Sequence, residues 1–290
     1  MSQRPRPRLQ TRPRLPRNQV TPIPPEINGA PEASEPVGRM SFFEHLAELR
    51  TRIIHSAAAI LLGAFVGFTV AKPVLAFIAR PVIKALQAAH LGDKLIFTHP
   101  AGYLNLVIQT GLYLGIVLAS PYVLYQVWLF IAPGLYKHER KAFMGFIFPA
   151  VGLFFVGLIF AYYVILPYLM RFLVSFQGDG PFTPLISIEE YFDLVIVVLL
   201  GVGVVFELPM IIFVLSVFGI VTPKFLWKNL RYAILIIAIV AAIITPTPDA
   251  TTMLIFMAPM IGLYFVGIAV SAVAVRKKNR QLAAEAAGKA

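Results

Sequence analysis

The 290-residue chain is 58% hydrophobic and 13% charged, with a mean hydropathy of +0.78; soluble domains sit at roughly 45–50% apolar and about 25% charged, so an aqueous globular fold is excluded. Its net charge of +11 lies mostly beside apolar runs, which makes it a topology signal and not the footprint of nucleic acid. The absence of cysteine removes disulfide frameworks, thiolate zinc sites, iron–sulfur ligation and cysteine nucleophiles.

Residues 1–40 carry seven arginines (4, 6, 8, 12, 14, 17 and 39) and many prolines, with almost no apolar periodicity. They read as a disordered, basic cytoplasmic tail that touches anionic lipid or simply helps to fix orientation. A signal peptide is disfavoured, because the charged region is too long and no small-residue cleavage site precedes a soluble domain. Ser41 and Glu44 have capping-box spacing, and the helix that they open is expected to run to Ala71, where Pro73 stops it. Phe42, Leu46, Leu49 and Ile53 share one stripe; Ser41, His45, Glu48 and Arg52 share another. The first half is thus interfacial, and 53–71 is the first span.

Residues 72–102 are expected to form an outside loop of short amphipathic helices resting on the end of the bundle. Further apolar runs follow at 103–130, 142–166, 194–221, 232–244 and 253–275, separated by Pro133-Gly134, 178–184, Pro223, and Pro246 with Pro248. The fifth run gives only about 20 Å of helix, short of a core of about 30 Å, so the bilayer thins there or flanking residues snorkel. Residues 276–290 read as a cytoplasmic C-terminal tail. Gly63 with Gly67, and Gly111 with Gly115, have the spacing of close helix packing. No internal repeat is evident, which weakens an inverted-repeat carrier.

With the N-terminus inside, 20 of the 25 lysines and arginines fall on inside segments: nine in 1–52, three in 131–141, three in 222–231 and five in 276–290. Outside segments hold four in 72–102 and one in 167–190. The positive-inside rule therefore places both termini in the cytoplasm, across six spans.

Catalytic motifs are missing: no Walker-type loop, no His-Glu-x-x-His, no Gly-x-Ser-x-Gly. The five histidines lie near interfaces or in loops, which disfavours a bis-histidine haem, and no metal, cofactor or enzymatic role is expected. Three acids stand out. Glu207 sits inside the fourth span, where an ionised carboxylate costs roughly 2.5–3.5 kcal/mol. It is expected to be protonated, paired or beside a water-lined cavity; Pro209 also leaves the Val205 carbonyl without its helical partner, and a neutral Glu207 could donate a hydrogen bond nearby. Glu48 lies at headgroup depth beside His45 and Arg52, with Arg50 pointing about 160° away. The plain reading is an i,i+4 pair of Glu48 with Arg52. Glu139 stands among bases in Lys137-His138-Glu139-Arg140-Lys141, where local neutralisation is the plain reading. The derived topology nonetheless puts Glu48 and Glu139 on one membrane face, where two carboxylates can clamp two guanidinium groups.

At these residues the chain resembles the TatC family, the signal-receptor subunit of the twin-arginine protein translocase. The resemblance lies in Phe43-Glu44-His45-Leu46-Ala47-Glu48-Leu49-Arg50 and in the run from Ser120 through Trp128, Pro133-Gly134-Leu135-Tyr136 and Arg140. It continues in Phe206-Glu207-Leu208-Pro209 and Thr245-Pro246-Thr247-Pro248-Asp249, so that it spans 41–275. It implies an all-α integral membrane protein with six helices in a concave, glove-like bundle. It implies binding of twin-arginine signal peptides at Glu48, Arg50 and Glu139, and a buried acid, Glu207, that thins or hydrates the membrane locally. TatA and TatB would dock along the fifth and sixth helices, and the proton-motive force would drive export of folded cargo across a bacterial inner membrane. Self-association is also implied. One departure falls on the docking helix: Met253 stands where many members have glutamine, with Thr251 and Thr252 supplying part of the polarity. A proton-coupled small-solute carrier built on Glu207 is the alternative function, and a membrane scaffold a distant third.

Overall fold

The computed structural model describes residues 42–131, 147–175, 185–245 and 249–287. Six principal helices carry the fold: α1 (Phe42–Ala88), α2 (Gly102–Ile131), α3 (Ile147–Ser175), α4 (Ile188–Val217), α5 (Leu230–Ile244) and α6 (Ala250–Ala287). Lipid offers no partner to backbone N–H and C=O groups, so apolar runs of this length must satisfy themselves as helices. All but α5 are long and apolar enough to cross a membrane. The 15 residues of α5 give only about 22 Å, as its short apolar run requires. Large apolar side chains face outward on α1, including Leu62 at 69% and Phe65 at 71% exposure. In water such a face would drive aggregation; here it is the lipid-facing surface. The basic tail and the capping Ser41 lie outside the described residues.

α1 does not stop at Pro73. It passes through Pro73 and Pro81 and ends at Ala88, so the first part of the expected outside loop belongs to the same helix. At the second proline the lost hydrogen bond is replaced from other helices. Pro81 has no N–H for the Phe77 carbonyl four residues earlier. The Tyr162 hydroxyl donates to that carbonyl at 2.7 Å, and the Tyr191 hydroxyl donates to the adjacent Ile78 carbonyl at 2.7 Å. Donors from α3 and α4 thus replace what the proline removes. Beyond His90, whose φ of 58° turns the chain, the connection carries no amphipathic helix before α2. Instead Ile96 forms a parallel bridge with Ser187, and Glu189 accepts from the Thr98 N–H and the Ser187 hydroxyl, which fastens the connection to the start of α4.

α1 and α2 run antiparallel with their glycines in contact. A Cβ on Gly63 would stand 2.8 Å from the Gly115 carbonyl oxygen, and one on Gly67 would stand 2.6 Å from the Gly111 carbonyl oxygen. Neither helix backbone has room for a side chain there. α3 is regular except for one π-turn, Ala161–Ile165. α4 breaks into Ile188–Val205 and Leu208–Val217, with Phe206 and Glu207 between them, at the point where Pro209 cannot donate to the Val205 carbonyl. Gly219, at φ 76°, closes its far end with an Ile220 N–H bond to the Leu215 carbonyl.

The main core joins α1, α3, α4, α5 and α6 around Ile165, Leu169, Phe192, Val198 and Phe256. A second core packs Trp128 of α2 against Ala150 of α3 and Met210 and Phe213 of α4. α6 lies along the second half of α4, where the Ser216 and Ser271 hydroxyls share a 2.7 Å hydrogen bond. α6 is capped by Asp249, which accepts from the Thr252 N–H at 2.7 Å. It continues as helix through Ala287, beyond the apolar span that ends at Arg276.

Gly63→Leu or Gly115→Leu should destabilise the protein by about 1–3 kcal/mol through overpacking. Gly152→Leu should leave stability unchanged, since nothing lies within 4 Å of a Cβ at that position. Thermal melts of the detergent-purified variants give the comparison; equal melting of all three would refute the close contact.

Candidate functional site

The α1–α2 register extends from the glycines to the polar end of the pair. Eleven residues before Gly63 on α1 stands Arg52, and eleven residues after Gly115 on α2 stands Gln126. These side chains meet: Arg52 Nη1 donates to Gln126 Oε1 at 3.1 Å, while Nη2 donates to Glu48 Oε1 at 3.0 Å. One guanidinium therefore ties the α1 carboxylate to the α2 amide. Gln126 is 4% exposed, and the Glu48 and Arg52 side chains are 16% and 27% exposed. One turn before Glu48, His45 stacks on Phe130 with ring centroids 4.3 Å apart and planes 16° apart. The Trp128 core holds the other side of this end of α2 against α3 and α4.

The cluster is not saturated. Glu48 Oε2 and Arg52 Nε are buried and have no hydrogen-bond partner. An unmet polar atom of this kind costs about 1–3 kcal/mol, more when charged, so the site gains from any group that supplies a donor to Oε2. The i,i+4 pairing of Glu48 with Arg52 is present as its spacing suggests. The engagement of Gln126 is not evident in the sequence, although a glutamine near the end of an apolar run is a polar signal of the kind that marks Glu207.

Arg50 is exposed and takes no part in the cluster. Glu139 lies outside the described residues. Glu207 sits elsewhere, at the break in α4; it is 9% exposed, and its Oε1 is buried without a hydrogen-bond partner. At the start of α6 the three candidate docking residues diverge. Thr251 is exposed, Thr252 is 1% exposed with its hydroxyl oxygen unpartnered, and Met253 packs against the main core. Among the described residues no group of three His, Asp or Glu side chains is placed to hold a metal ion.

Residues 44–259 match the family model described as Sec-independent protein translocase protein (TatC). The chain is 45% identical over 254 residues to the Sec-independent protein translocase protein TatC of Koribacter versatilis, covering 88% of this chain and 93% of that protein. It is 35% identical over 241 residues to the protein of the same name from Aquifex aeolicus, covering 83% of this chain and 98% of the relative. A solved structure described as the twin arginine translocase receptor TatC superposes with a TM-score of 0.68 at 35% identity, covering 80% of this chain and 100% of that one.

Replacing the acceptor should expose the energetics of the tie. Gln126→Leu leaves Arg52 Nη1 without its bond and should cost about 1–3 kcal/mol in unfolding free energy. Gln126→Glu, which keeps an acceptor, should cost less. If denaturation midpoints rank these variants the other way, the Arg52 bridge is not a stabilising contact.

Proposed function

The chain belongs to the TatC family of Sec-independent protein translocase proteins, and from that premise we propose that its Glu48 cluster receives the arginines of twin-arginine signal peptides. It is a multi-pass membrane component of the twin-arginine translocase. The observation that carries the receptor reading is the half-met carboxylate of Glu48, already engaged by one guanidinium and with Oε2 still unpartnered.

In this reading Arg52 is a resident stand-in for the ligand. A peptide arginine takes over part of the Glu48 carboxylate, and Arg52 keeps its bond to Gln126. Exchanging one guanidinium for another conserves most of the electrostatics, so the gain comes from satisfying Oε2 with a second N–H. The planar fork of arginine supplies two parallel donors to a carboxylate, whereas lysine presents one compact ammonium, and this favours arginine at a bidentate site. Glu139 provides the second carboxylate and Arg50 flanks the peptide. The stacked His45 and Phe130 rings form an apolar shoulder for the peptide beside the charged pair.

The remaining assignments belong to the same reading. The excess of Lys and Arg on the Glu48 side supports a cytoplasmic location for that face and for both termini. TatA and TatB dock along α5 and α6, where Thr251 offers the exposed contact, and further copies of the chain associate with the complex. Glu207, buried and with its Oε1 unpartnered, favours local hydration of the membrane beside the break in α4. The protein works in a bacterial cytoplasmic membrane, where the proton-motive force drives transport, and it carries no catalytic chemistry of its own.

Binding of a labelled twin-arginine peptide to purified protein in nanodiscs tests the site. Glu48→Gln and Glu139→Gln should each weaken binding by roughly tenfold or more, the cost of losing a charged hydrogen bond, with the helical fold intact. Unchanged affinity in the double variant would remove the clamp.

A further inference from the structure

At the end of α1 remote from Glu48, a groove of about 200 Å³ opens between α1 and α3. Arg80 and Lys84 line it from α1, one turn apart, and Arg171 lines it from α3. Phe77, Tyr162 and Tyr163 form its aromatic wall. We propose that this groove binds the phosphodiester headgroup of an acidic phospholipid, such as phosphatidylglycerol.

The first argument is charge. Five lysines and arginines occupy 72–102 and 167–190, and three of them converge on this groove. All three are exposed, and among the described residues none has a carboxylate within ion-pair distance. Cations gathered against the positive-inside trend repel one another unless an anion sits among them.

A second argument is construction. Tyr162 and Tyr163 are consecutive, and in an ordinary α-helix adjacent side chains point about 100° apart. They fall within the π-turn of α3, and both line the groove. Tyr162 stacks on Phe77 at 4.3 Å between centroids, and its hydroxyl fills the vacancy that Pro81 leaves at the Phe77 carbonyl. The Arg80 guanidinium lies 5.4 Å from the Phe77 ring centroid. The proline, the π-turn and the ring stack thus hold one wall of the groove rigid and aim a cation along it. π-turns of this kind occur often at functional sites.

Depth completes the case. Arg80 follows Glu48 by 32 residues on one continuous helix, a path of about 48 Å. A bilayer with its headgroup layers is about 40–45 Å thick, so the groove lies in the headgroup layer opposite the Glu48 cluster. Tyr163, 64% exposed, and Phe77, 37% exposed, offer apolar surface to the acyl chains below a bound headgroup. Inorganic phosphate shares the anionic chemistry but makes no use of that surface. A zwitterionic headgroup brings a cation into a groove that already holds three.

The test is native mass spectrometry of the purified full chain, delipidated and then titrated with dioleoyl phosphatidylglycerol or dioleoyl phosphatidylcholine. Each near-surface cation contributes a factor of about five, so phosphatidylglycerol should be retained roughly tenfold or more over phosphatidylcholine. The Arg80→Gln/Lys84→Gln/Arg171→Gln variant should lose that preference. A matched control, Lys224→Gln/Lys228→Gln/Arg231→Gln, should keep it, as should the charge-conserving Arg80→Lys/Lys84→Arg/Arg171→Lys variant, whose retention guards against a folding artefact. Equal retention of the two lipids by the native chain, or an undiminished preference in the triple glutamine variant, would overturn the proposal. Displacement of phosphatidylglycerol by millimolar inorganic phosphate would assign the groove to the free anion instead and overturn it equally.

Discussion

The close backbone contact between α1 and α2 is the constraint on which the rest depends. Gly63 against Gly115 and Gly67 against Gly111 let the helices approach until no side chain fits between them. In lipid there is no hydrophobic drive to press two apolar helices together, so van der Waals contact at small residues has to supply much of the attraction. That contact also sets a register. The same antiparallel alignment, carried eleven residues toward the polar end, puts Arg52 opposite Gln126 and keeps Glu48 in reach of both. A shift of one residue would turn these side chains about 100° apart on each helix and dissolve the cluster. The Glu48–Arg52–Gln126 cluster is thus a consequence of packing some 16 Å away along the helix axis.

The molecule repeatedly solves one problem, the backbone or side-chain polar group that lipid will not satisfy. At Pro81 the orphan carbonyl is taken by Tyr162, and Tyr191 takes its neighbour. At Pro209 no such donor arrives, and the helix breaks, leaving Glu207 between its halves. The interruption coincides with the buried acid, and intramembrane acids are expensive enough to point to function.

Much of this was legible in the chain. Each of the six apolar runs has a helix over most of its described residues, and the glycine spacings mark a contact that exists. The first helix was cut short because a proline reads locally as a stop. The tyrosines that serve the carbonyls at Pro81 lie 81 and 110 residues beyond it, a distance no local pattern can bridge. The loop fastening of Ile96 to Ser187 and the π-turn of α3 escaped for the same reason: each is decided by a partner element. At the candidate site, Glu48 with Arg52 is a local i,i+4 relation and was readable. Gln126 joins it only through the register of two helices. The start of α6 shows the reverse case, since Thr251, Thr252 and Met253 are adjacent in sequence but differ in exposure.

A double-mutant cycle addresses the central claim directly, by crossing Glu48→Gln with glutamine at each of the two signal-peptide arginines and measuring affinity for all combinations. Direct contact predicts that one of the arginines couples to Glu48 by more than about 1 kcal/mol, so that the combined loss falls well short of the sum of the single losses. Additive losses at both arginines would contradict the account and place the guanidinium-binding carboxylate elsewhere.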